Sequence, residues 1–74
     1  MIYDYSKLNG KITEVYGSQR AFAIAMGLSS EAINKKLNNK TYWRQPDIAK
    51  ACGLLEIEPK DIPIYFFNTK VQQN

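Results

Sequence analysis

A chain of 74 residues, 45% hydrophobic and 23% charged, has room for one small core and no second domain. It contains no His and a single Cys, which excludes an intramolecular disulfide and any catalysis built on His or a Cys–His pair. Net charge is +3, too modest to define a partner by itself but unevenly placed along the chain.

No metal-ligand spacing and no phosphate-binding Gly loop is present, so the chain is expected to be no enzyme and to need no cofactor and no metal. The lone Cys52 lies in an apolar stretch and reads as a small buried hydrophobe. A small domain without a disulfide framework fits a reducing cytoplasm. The start Met1-Ile2-Tyr3-Asp4 has neither the basic opening nor the apolar run of a secretory signal. No run approaches the ~18 apolar residues of a membrane span, so no membrane partner is expected.

The first helix is predicted from about Ser6 to Tyr16, capped by Asp4 or Ser6. Leu8, Ile12, Val15 and Tyr16 share one face, and Gly10 in the interior costs about 1 kcal/mol relative to Ala. Gly17 is placed to end it in a left-handed conformation. Ser18 caps a second helix whose buried stripe is Ala21, Phe22, Ala25 and Met26, and Gly27 stops it. Leu28 plugs the short turn. Ser29 caps a third helix, Ser30 to about Asn38.

That third helix divides sharply. Ala32, Ile33 and Leu37 fall on the inner side, while Ser30, Glu31, Asn34, Lys35 and Asn38 fall on the other. Lys36 sits at the boundary, placed to snorkel its charge outward. Between residues 29 and 45, Lys35, Lys36, Lys40 and Arg44 stand against Glu31 alone, which is +3. Residues 1–28 carry +1 and residues 46–74 carry −1. A basic patch of this kind is the footprint expected for a polyanion, or equally a solvated basic surface.

Asn38 to Thr41 reads as a polar turn, with Tyr42 and Trp43 packing on the core after it. Pro46 suits the first position of a fourth helix with apolar face Ile48, Ala49, Ala51, Cys52 and Leu55. Pro59 to Ile62 is expected to add one helical turn. Residues 62–71 fit either a strand or a proline-initiated helix, and helix is favoured in a chain of helices. Residues 68–74 read as a mobile polar tail on a single domain spanning 1–74. Three adjacent aromatics, Tyr65, Phe66 and Phe67, cannot all face one small core, which points to a dimer or partner surface.

Two short helices joined by a tight Gly-containing turn form a helix-turn-helix. Residues 18–39 resemble that of the phage Cro and repressor family, the xenobiotic-response-element class. Gln19, Ala23, Gly27, Leu28, Ser29 and Ile33 carry the resemblance, and Ala32-Ile33-Asn34-Lys35 is similar to the recognition helix of a lambda-type Cro. Lys36 and Glu31 depart from the family pattern. The resemblance implies an all-α, lambda-repressor-like fold, a compact bundle of four to five helices containing the helix-turn-helix.

It also implies a sequence-specific regulator of transcription, a phage or prophage repressor in a bacterial host cell, bound to a double-stranded DNA operator as a homodimer. Base contacts would come from Ser30, Glu31, Asn34 and Lys35: Asn can pair with an adenine edge, Lys with the acceptors of guanine. Phosphate contacts would come from Gln19, Ser29, Lys36, Asn38, Asn39, Lys40 and Arg44. The competing expectation is an anti-repressor or antitoxin that uses the same fold to hold a protein partner, with the aromatic segment as its grip.

Overall fold

The computed structural model describes residues 2–70. Five α-helices follow in order: α1 (Ser6–Tyr16), α2 (Gln19–Met26), α3 (Ser30–Leu37), α4 (Gln45–Leu55) and α5 (Ile62–Phe66), with a 3₁₀ turn at Pro59–Asp61. No strand occurs among the described residues, and the all-helical bundle expected from periodicity is what forms. No helix among them is long and apolar enough to cross a membrane.

The caps explain the boundaries. The N-cap of α1 is Tyr5, without a side-chain cap bond, rather than the expected Asp4 or Ser6; the Asp4 carboxylate just before it accepts from the amide of Ser6 at 2.9 Å, and this hydrogen bond holds its carboxyl below the usual range. Gly17 leaves α1 at φ +84° and Gly27 leaves α2 at φ +74°. The side chains of Ser18 and Ser29 accept from the amides of Ala21 and Ala32, closing the first turns of α2 and α3. The turn of the helix-turn-helix is therefore Gly27-Leu28-Ser29, with the Leu28 amide bonded back to the Ala23 carbonyl. Glu56 ends α4 in a left-handed conformation at φ +56°.

Each helix contributes to one core. Leu8 and Ile12 of α1, Phe22, Ala23 and Met26 of α2, Ile33 of α3, Ala51, Cys52 and Leu55 of α4 and Phe66 of α5 are all buried. Tyr5 and Ile57 join from the connecting segments. The predicted stripes shift slightly. Ala23, not Ala21 or Ala25, is the buried alanine of α2, Val15 is exposed on α1, and Ala49 is exposed on α4. Cys52 is buried, and that burial pushes its thiol above the ordinary range.

The polar segment 68–70 does not trail away from the bundle. Tyr3 and Thr69 form an antiparallel bridge, flanked by hydrogen bonds from Asp4 N to Asn68 O at 2.6 Å and from Lys70 N to Ile2 O at 3.1 Å. The rest of the expected tail, residues 71–74, lies outside the described residues.

The glycine inside α1 and the one that ends it should respond oppositely to alanine. A Cβ at Gly10 meets nothing within 4 Å, so Gly10→Ala is expected to stabilise by about 0.5–1 kcal/mol. Gly17→Ala, at φ +84°, is expected to destabilise by about 1 kcal/mol or more. Urea unfolding of the two variants measures both signs.

Candidate functional site

The outer face of α3 was the expected reading surface, and its four candidate residues are indeed exposed together: Ser30, Glu31, Asn34 and Lys35. They are not a basic stripe. The Lys35 ammonium lies 3.3 Å from the Glu31 carboxylate one turn earlier, so the pair is electrically neutral.

The expected phosphate contacts fare differently, because most of them serve the fold. Lys36 is 9% exposed. Its ammonium donates to the carbonyl of Tyr42 at 2.8 Å and lies 3.1 Å from the Asp47 carboxylate. It also stands 5.8 Å from the centre of the Trp43 ring, within cation–π range. The snorkelling reading is thus corrected: with acceptors this close on the inner side, the charge turns inward. The same Asp47 oxygen accepts from the Arg44 amide at 3.2 Å, which closes the start of α4.

Asn39 clamps the N-terminal segment. Its side-chain amide accepts from Tyr3 N at 3.0 Å and donates to Tyr3 O at 2.9 Å, imitating a strand neighbour. Its φ of +62° is a conformation that Asn tolerates better than most residues. Asn38 donates from its side chain to the Asn34 carbonyl at 2.8 Å. Gln19 donates to the Asn9 side chain at 3.0 Å, joining α1 to α2. Ser29 is the cap of α3. Of the seven expected phosphate contacts, only Lys40 and Arg44 stay exposed without a side-chain ion pair or hydrogen bond among the described residues.

The aromatic segment also divides. Phe66 is 2% exposed, so it belongs to the core and not to a partner surface. Tyr65 is half-buried against that core. Phe67 alone projects, at 51% exposure, because α5 ends there and the next residues turn to pair with the N-terminus.

Sequence reasoning missed the neighbour that matters here. Tyr42, expected to pack on the core, is 89% exposed because its backbone is held from below by Lys36 while its side chain faces outward. Trp43 packs edge-on against Phe66, with ring centres 5.2 Å apart, and against Tyr5 at 6.3 Å. Tyr3, Tyr5, Tyr42, Trp43, Phe66 and Phe67 line a cleft of about 180 Å³. The indole N–H of Trp43 is buried with no hydrogen-bond acceptor among the described residues. No group of His, Cys, Asp and Glu suited to a metal occurs among them.

A family model described as protein of unknown function (DUF739) matches residues 1–69. The chain belongs to the DUF739 family. Among solved structures it is similar to the solution structure of the modulator of repression (MOR) of the temperate bacteriophage TP901-1 from Lactococcus lactis. The two share 57% sequence identity over 97% of each chain, with a TM-score of 0.81. No curated protein matches the chain.

These findings overturn the expectation of a Cro-like, operator-binding repressor. The close relative is a modulator of repression, not a repressor. The physical reason the sequence misled is that a helix-turn-helix is first a way of packing two short helices. The polar residues around it look like ligand contacts until their internal partners are known.

The Lys36–Asp47 pair yields a measurable coupling. Lys36→Met and Asp47→Asn are each expected to cost about 2 kcal/mol, because each leaves a largely buried partner without its counterpart. The double variant should cost clearly less than the two together. Additivity within about 0.3 kcal/mol in urea unfolding would show that the pair contributes no coupling.

Proposed function

We propose that this chain is a phage-type modulator of repression that acts by contacting a protein of the repression circuit. The observation that carries the reading is 57% identity to such a modulator over 97% of both chains. The reading assigns the chain no chemical step: it acts by binding.

The electrostatics support it. Of the four cations between residues 29 and 45, Lys35 is matched by Glu31 and Lys36 by Asp47. Within that segment two cations remain without an ion pair among the described residues, Lys40 and Arg44. Firm attachment to duplex DNA ordinarily rests on many phosphate contacts and shows it in a steep salt dependence. What the surface offers instead is exposed aromatic area at Tyr42 and Phe67, the residue type enriched at protein interfaces.

The test is a promoter–reporter assay in which this chain and the repressor encoded by the same phage are expressed separately and together. Reporter output should respond to this chain only when the repressor is present, and the two proteins should co-elute in size-exclusion chromatography. A response to this chain alone, with no repressor in the cell, would contradict the reading.

A further inference from the structure

The aromatic cleft has features that specify what enters it. A volume of about 180 Å³ is below the roughly 300–1,000 Å³ of small-molecule sites. It is close to the roughly 150 Å³ that accommodates a benzene-sized group. The cleft therefore matches one inserted apolar side chain better than a free ligand.

Two cations adjoin its lining residues in the sequence. Lys40 stands between the lining residues Asn39 and Thr41, Arg44 follows the lining residue Trp43, and both cations are exposed. The loop is not a loose excursion: Lys36 anchors it at the Tyr42 carbonyl, and Asp47 anchors it at the Arg44 amide. Neither Lys40 nor Arg44 is in an ion pair among the described residues. The surface thus presents an apolar notch beside a braced loop that carries two exposed cations without an ion pair among the described residues.

We propose that this cleft is the docking site for an acidic segment of the partner protein. The segment inserts one apolar side chain beside Tyr42, Trp43 and Phe67 and pairs its carboxylates with Lys40 and Arg44. The proposal rests on the protein-contact reading above and names its surface and its chemistry. A peptide segment fits better than a single-stranded nucleic acid. Tracking a phosphate backbone takes a groove of successive cations, and here there are two. Unpaired charges at the edge of an apolar notch are the arrangement that steers and orients an oppositely charged protein segment.

The chain has one tryptophan, so its own fluorescence reports occupancy of the cleft. The experiment selects from a random dodecapeptide library on the full chain and then titrates the enriched peptides against Trp43 emission. Enriched sequences should be rich in Asp and Glu around one Leu, Phe or Trp. Tyr42→Ala and the double variant Lys40→Glu/Arg44→Glu should weaken them at least about tenfold. All three positions are exposed, and circular dichroism checks that the variants stay folded.

Asn34→Ala/Lys35→Ala, on the outer face of α3, should leave peptide binding unchanged. Enrichment of neutral or basic peptides, no enrichment, or loss only in the α3 variant overturns the proposal. So does quenching by a single-stranded DNA oligomer that outcompetes the peptides and weakens steeply with salt. Titrating the co-encoded repressor against the same variants separates the two levels. Binding insensitive to the cleft variants rejects this site while keeping the protein-contact reading. No repressor binding, with peptide selection intact, rejects the repressor as partner and keeps the site.

Discussion

The ammonium of Lys36 lies between two groups of the α3–α4 loop, the Tyr42 carbonyl and the face of Trp43, and one of α4, the Asp47 carboxylate. A cation 9% exposed is tolerable only because each of these groups carries negative charge or a negative face toward it. The consequence is geometric. Lys36 ties the last turn of α3 to the first turn of α4 and fixes the backbone of the loop between them. Tyr42 is held outward and Trp43 inward by that one arrangement, and the cleft between Trp43 and Phe67 follows from it.

A second tie runs through Asn39. Its side-chain amide occupies both backbone groups of Tyr3, while residues 2–4 pair on the far side with residues 68–70. The two ends of the described chain and the α3–α4 loop are thus gathered at one end of the bundle. This is where Tyr3, Tyr5, Trp43 and Phe66 interlock, with Tyr3 also set edge-on to Phe67 at 6.1 Å. In a chain this small, the lining of the cleft and part of the core are built from the same aromatic side chains. A binding partner there would be coupled to stability by mass action.

Much of this was legible locally. The Ser18 and Ser29 caps, the left-handed Gly17 and Gly27 and the apolar spacing of α1 to α4 bounded four helices, and Pro63 opened the fifth. The exposed face of α3 was also read correctly as a surface. Its charge was not, because charges count by residue in a sequence and by pair in a structure. Glu31 stands four residues from Lys35, a spacing that offered a local signal for their pairing. Asp47 stands eleven residues from Lys36, and no periodicity connects them. The same holds for Asn39 and Tyr3, thirty-six residues apart.

Composition, periodicity and caps settled an all-helical bundle in which two short helices meet at a Gly-containing turn, because those are matters of local spacing and of which side chains exist. Where the polar side chains of residues 29–45 end up was settled by packing, since an ammonium, an amide or an indole takes the partner that folding brings within about 3 Å. That is why Lys36 and Asn39 became internal fastenings, Phe66 core and Tyr42 surface. It is also why a motif that resembles a reader of operators belongs to a chain whose relative modulates repression.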